Sequence, residues 1–225
     1  MDFGYWILDC FPSLDTASNL FIFNYMERNL INIFALPHRL ARTAGLAWWL
    51  QNLYPDESVR PILVGGAAME LYAEGAYITA DLDFVGIVPH PVADGLRRAD
   101  FGRLGRHWLH DKESVSIIFH HETLRKGERA VEQRFGDYRV LMVSPEDLLV
   151  DRLAAWRHRE SPTHGVQAYL LYHAKHGPMD VEHLRKRAVQ ENVEPVLDSV
   201  TRLFFKSRGQ LPRAEFLGAW ASREM

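Results

Sequence analysis

The amino-acid sequence predicts an α+β fold: a mixed sheet of about four or five strands, helices on one side of it, and a C-terminal helical bundle. Three patterns carry that expectation. Short runs, β-branched or alternating apolar with polar, fall at residues 62–64, 81–85, 114–119 and 137–143, as strands require. Apolar residues at three- and four-residue steps precede and separate these runs, as helices require. From residue 144 onward only the helical period remains. The chain accordingly divides into an N-terminal helical extension (1–54), a core sheet (55–143) and a C-terminal helical domain (144–225).

The 225 residues are 47% hydrophobic, enough for a real core in one domain or two small ones. A net charge of −3 gives no overall basic footprint, so tight nonspecific nucleic-acid binding is not expected, although a local basic surface stays open. The lone cysteine, Cys10, excludes an internal disulfide and a cysteine zinc cluster and suits a reducing compartment. No apolar run reaches the ~18 residues of a transmembrane helix, so no membrane partner is expected. The start carries Asp2, Asp9 and Asp15 without a basic leader, which argues against a signal peptide and for a cytoplasmic location.

In order along the chain, residues 1–25 are dense in aromatics: Phe3, Tyr5, Trp6 and Phe11, then Phe21 and Phe23. They read as an added helix or arm over the core, with a partner-contact surface as the alternative. Between residues 27 and 54, Leu30, Ile33 and Phe34, then Leu40, Ala44, Ala47 and Trp48, fall at helical steps, and Pro37 separates two helices. The Trp48-Trp49 pair reads as core plus rim. Pro55-Asp56-Glu57-Ser58 then supplies turn chemistry.

The stretch that follows carries the chemistry. Ile62-Leu63-Val64 is a short buried strand, and Gly65-Gly66 breaks it. Ala67 to Leu71 are helix formers, so the glycines sit at a helix N-terminus, where free N–H groups and the dipole favour a phosphate. In Asp81-Leu82-Asp83-Phe84, period two puts both carboxylates on one strand face. Paired carboxylates repel unless a cation lies between them, and a hard ion such as Mg²⁺ suits the oxygen donors.

A Gly-Gly turn entering a helix, with Asp-x-Asp on the next strand, resembles the signature of the DNA polymerase beta superfamily of nucleotidyltransferases. Val64-Gly65-Gly66-Ala67-Ala68 with Thr79-Ala80-Asp81-Leu82-Asp83 is most similar to its small bacterial branch, related to abortive-infection and toxin–antitoxin proteins. The resemblance covers roughly residues 59–205. It implies a nucleotidyltransferase fold in which Asp81 and Asp83 are catalytic and hold Mg²⁺ (or Mn²⁺), while Gly65, Gly66 and Thr79 contact an NTP. It further implies an RNA (tRNA) or protein acceptor and an antitoxin partner.

After Asp83, residues 91–98 read as a helix with Pro91 in its first turn, 101–106 as a loop, and 106–109 as a short strand. The family commonly places a third carboxylate on the strand at 114–119. Here the places are taken by Ser114, Ser116 and Ile118, with Glu113 just before them. Either Glu113 serves from the strand end, or two carboxylates suffice, or the chemistry is lost. His107, His110, His120 and His121 read as surface or strand-end residues rather than metal ligands.

Ser144-Pro145-Glu146-Asp147 is a helix start with Ser144 as N-cap. In that helix Asp151-Arg152-Leu153 extends the resemblance, because relatives carry a Lys or Arg there that is proposed to contact nucleotide phosphates. Arg152 is expected to be free of a fixed carboxylate, since neighbouring Asp151 points ~100° away around the helix. Relatives have an Asp further on, where this chain has Gln167, which carries no charge. Residues 162–176 read as a helix stopped by Gly177-Pro178, and 180–187 and 194–207 as two more. A last helix near 212–221 presents Phe216, Leu217 and Trp220 on one face. Arg185-Lys186-Arg187 reads as a solvated basic face, with an RNA contact as the alternative. The function expected from the whole is Mg-dependent transfer of a nucleoside monophosphate from an NTP, in a toxin or defence setting. The alternative is a nucleotide-binding partner that has lost turnover.

Overall fold

A computed structural model describes residues 26–224; the aromatic-rich stretch before them lies outside that range. In chain order the helices are α1 (residues 26–34), α2 (Arg39–Asn52), α3 (Gly65–Tyr72), α4 (His90–Arg98), α5 (Pro145–Arg159), α6 (Pro162–Lys175), α7 (Val181–Gln190), α8 (Glu194–Lys206) and α9 (Ala214–Arg223). The strands are β1 (Ile62–Val64), β2 (Asp81–Val85), β3 (Gly102–Leu104), β4 (His107–His110), β5 (Val115–Phe119), β6 (Ala130–Phe135) and β7 (Tyr138–Val143). All seven form one mixed sheet in the order β3-β4-β5-β2-β1-β7-β6, so the chain is α+β.

Seven strands exceed the four or five expected, and the two extra ones lie at the sheet edges. β3 falls inside the segment expected as a loop. It is three residues long and all exposed, and its one apolar side chain, Leu104, is solvated, so no period marks it. In β6 only Val131 and Phe135 supply apolar side chains to the half-buried face, and Gln133 between them interrupts the period-two signal.

β1 runs antiparallel to β2 (Leu63 opposite Phe84, Val64 opposite Asp83), and β2 runs parallel to β5 (Leu82 beside Ile117, Asp83 beside Ile118). This register sorts the side chains. Leu63, Leu82, Phe84, Trp108, Ile117 and Met142 share one face, none of them more than 5% exposed. Asp81, Asp83 and Ser116 share the other, which stays half-buried. That asymmetry positions the site: one face is closed by core, and the other opens on a cleft.

α2 packs on β7 and α3 and contributes Ala44, Leu46, Ala47, Trp49 and Leu50 to the core. Trp49 is buried and Trp48 sits at its rim, as the sequence indicates. Gln51, 2% exposed, ties α2 to the sheet. Its amide nitrogen donates to the Pro61 and Leu141 carbonyls at 2.8 and 2.7 Å, and its oxygen accepts the Leu141 N–H at 3.0 Å. These bonds serve backbone groups where the parallel pairing of β1 with β7 is limited to Leu63 beside Met142.

The C-terminal helices pack as a bundle, α5 on α6 and α7, and α6 on α8 and α9. Gly165 lets α5 and α6 approach: a Cβ there would fall 2.6 Å from the Trp156 ring, whose Nε1–H donates to the Ala221 carbonyl at 3.0 Å. The Arg185-Lys186-Arg187 face is corrected, since Arg187 is 4% exposed and turned inward to Asp147, leaving Arg185 and Lys186 outside. Phe216 is exposed while Leu217 and Trp220 are buried, so the apolar face of α9 is narrower than expected. Gly177 does not adopt positive φ, and α6 ends on His176 in right-handed geometry. Among the described residues no helix is long and apolar enough to cross a membrane.

Candidate functional site

β1 ends at Val64, and the chain turns into α3 through Gly65 at φ +62°, a conformation that favours glycine. Because Val64 pairs with Asp83, the turn lies against that carboxylate. The Gly66 N–H donates to Asp83 Oδ2 at 3.3 Å. A Cβ on Gly65 would lie 2.5 Å from Asp83 Oδ2, and one on Gly66 would lie 2.8 Å from Thr79 Oγ1. The space beside both glycines is therefore filled by the chain's own Asp83 and Thr79, an added reason for glycine that ligand approach alone does not supply. Gly65→Ala is expected to cost about 1–2 kcal/mol in backbone strain alone and to displace Asp83. A thermal melt checks the first effect, and a shift of the His120 imidazole resonances, whose ring lies against Asp83, the second.

Thr79 is held by a clamp that the sequence reading missed. Its N–H donates to Glu70 Oε2 at 3.2 Å, and Arg39 Nε donates to Glu70 Oε1 at 2.9 Å. An Arg39 Nη2 hydrogen also bonds the Thr79 carbonyl. Glu70 is 1% exposed. The signal was a carboxylate inside the apolar run Ala67 to Tyr72, since a buried charge needs partners.

His120 is the second omission. It follows Ile118 by two, so the parallel register that sets Ser116 beside Asp81 and Ile118 beside Asp83 carries His120 onto the carboxylate face. Its Nε2 lies 2.6 Å from Asp83 Oδ1. The expected strand-end histidine is therefore also a cleft residue. Extending the alternation Ser116, Ile118, His120 past the strand would have found it. Glu113 lies in an exposed 3-10 turn before β5, beyond the strand end that meets Asp81, and does not line the cleft.

A cavity of about 430 Å³, within the range of small-molecule sites, opens beside Asp83. It is lined by Gly65, Gly66, Thr79, Asp83 and His120 on the sheet side and by Asp147, Leu148, Asp151, Arg152 and Arg159 of α5 opposite, with Arg125 and Glu128 at the loop between. Val64, Tyr77, Val85, Leu124 and Val143 add apolar wall. Of the residues singled out in the sequence, Gly65, Gly66, Thr79, Asp83 and Arg152 meet here. Asp81 stands on the same face two residues away but does not line the cavity, and its N–H donates to Thr79 Oγ1 at 3.4 Å.

Arg152 differs from expectation. Its Nη2 lies 2.6 Å from Asp151 Oδ2, and its Nη1 donates to Gln167 Oε1 at 3.3 Å. Both side chains line the cleft, and the reach of the arginine spans the ~100° offset between their Cα positions. Gln167, 4% exposed, thus serves as a neutral acceptor. Nearby His164 titrates below its ordinary value, because burial and then the Arg152 charge disfavour its protonated form.

Among the described residues no group of three His, Cys, Asp or Glu side chains is arranged to hold a metal ion. Mg²⁺ needs less from a protein, since one or two carboxylates suffice with waters and substrate phosphates. Asp81 and Asp83 supply such hard donors on one half-buried face, and the Asp81 carboxylate makes no ion pair among the described residues, so the donor set fits. Comparison with known protein families, characterised proteins and solved structures gives no match for this chain.

Proposed function

We propose that the protein is a nucleotidyltransferase of the DNA polymerase beta type, moving a nucleoside monophosphate from an NTP to a hydroxyl of RNA or protein. The observation that carries this reading is the convergence of the Gly65-Gly66 turn, Asp83 and Arg152 on one cleft of about 430 Å³. Its lining joins apolar side chains such as Tyr77 and Leu124, which suit a base, with Arg125, Arg152 and Arg159, which suit phosphates. Asp81 and Asp83 would hold Mg²⁺ or Mn²⁺, which when bound would supply positive charge to the reacting phosphate. The remaining work belongs to the chain. Backbone N–H groups at the start of α3 and the Thr79 hydroxyl orient the phosphates. Arg152 binds them through its fork, and His120 holds Asp83 in place through Oδ1. A toxin or defence role with an antitoxin partner belongs to the same proposal.

A second reading, a nucleotide-binding partner without turnover, is favoured by one observation: Ser116 and Ile118 stand beside Asp81 and Asp83 where a third carboxylate would be needed. The two readings separate on α-labelled NTPs incubated with Mg²⁺ and tRNA, cellular protein or the protein itself. A transferase labels one of these acceptors and Asp81→Ala does not. Saturable binding with no label transferred supports the partner reading instead.

A further inference from the structure

We propose that Asp151 is an internal competitor for the polyphosphate of the ligand, and that its displacement from Arg152 sets the affinity of the cleft. The inference rests on the nucleotide reading of the cleft. Residues adjacent on a helix do not ordinarily face each other, yet Asp151 and Arg152 meet at 2.6 Å, and both line the cavity. Arg152 is only 14% exposed, and Gln167, its other partner, is neutral. Its Nε is shut off from solvent and bonds nothing. The guanidinium is thus under-satisfied, and Asp151 occupies the Nη2 corner where a phosphate oxygen would bind. Asp151 is 33% exposed, and its second oxygen lies 3.9 Å from Arg125 Nη1. Its partial exposure gives the carboxylate room to turn toward solvent, which would release Arg152 and Arg125 together.

The test is calorimetric titration of inorganic tripolyphosphate with Mg²⁺ into the full chain. Asp151→Asn, which keeps the shape and an acceptor oxygen, is expected to tighten binding about five- to tenfold, the scale of one removed charge at contact distance. Asp151→Ser is expected to do the same and stands in if the asparagine variant does not fold. Arg152→Ala is expected to weaken binding, and adding Asp151→Asn to it should change affinity less than about twofold. The competitor role is overturned if wild type binds and Arg152→Ala weakens, but Asp151→Asn binds no tighter. It is also overturned if the tightening is undiminished without Arg152, because the effect is then general charge. If neither wild type nor any variant binds tripolyphosphate, both this inference and the nucleotide reading fall.

Discussion

Asp83→Asn is expected to lower transfer by at least about a hundredfold, the scale seen when one preorganised group that stabilises transition-state charge is removed. The effect should be chemical rather than structural. Asparagine has the same shape, and its amide oxygen still accepts the Gly66 N–H that now reaches Asp83 Oδ2 at 3.3 Å. What is lost is the negative charge, which now faces His120 Nε2 at 2.6 Å and gives a cation a reason to sit beside Asp81. Thermal stability should move by less than about 1 kcal/mol, since Asp83 is partly exposed and gains relief from a neighbouring like charge. Binding of Mg–NTP by calorimetry and turnover should fall together. A variant that keeps turnover while losing stability would make Asp83 a structural group.

Asp147→Asn should do the reverse and act mainly on stability, although Asp147 also borders the cavity. Asp147 is 1% exposed and carries the densest polar network in the described residues. Its carboxylate accepts from Ser144 Oγ at 2.8 Å, the Arg129 N–H at 2.8 Å and Arg187 Nε at 2.9 Å, and lies 3.0 Å from His183 Nε2. It staples α5, α7 and the loop leading into β6. Breaking a buried pair costs about 3–5 kcal/mol when the other charge is left alone; Arg187 keeps Glu191 at 3.4 Å and Gln190 at 2.8 Å, so a loss of about 2–3 kcal/mol is expected. Urea denaturation at neutral pH measures it, and a loss under about 1 kcal/mol would show that the network contributes little net stability.

The same residue fixes the acid limb of the stability curve. Burial pushes the Asp147 carboxyl up, but hydrogen bonds from His183, Ser144, the Arg129 backbone and Arg187 outweigh it and hold it below its ordinary 3.8. A depressed carboxylate stabilises the fold above its unfolded value and loses that contribution as pH falls through the native one. Wild type should therefore weaken progressively below about pH 4, and the Asp147→Asn variant should show a shallower acid limb from a lower plateau.

The sequence made the centre of the sheet legible and left its edges obscure, for one reason. β1, β2 and β5 are buried on at least one face, so apolar period marks them, whereas β3 and β6 are paired on one side only and their side chains are mostly solvated. The site followed the same division. Gly65, Gly66 and Asp83 are local in sequence and were readable from type and spacing. Arg39, Glu70 and His120 act through contacts that only the tertiary register creates: Glu70 reaches Thr79 across a loop, and His120 reaches Asp83 through parallel pairing with β5. The Asp151–Arg152 contact was misjudged because helical angle fixes where Cα atoms point, not where flexible side chains end.

Pyrophosphate release is the most direct measure of a nucleotidyltransferase, because each transfer liberates one molecule whatever the acceptor. Wild type with Mg²⁺, each NTP in turn, and total cellular RNA and protein should release pyrophosphate steadily with at least one nucleotide, and Asp83→Asn should not. Absence of release with every nucleotide, or an equal rate from Asp83→Asn, would contradict a transferase built on this cleft.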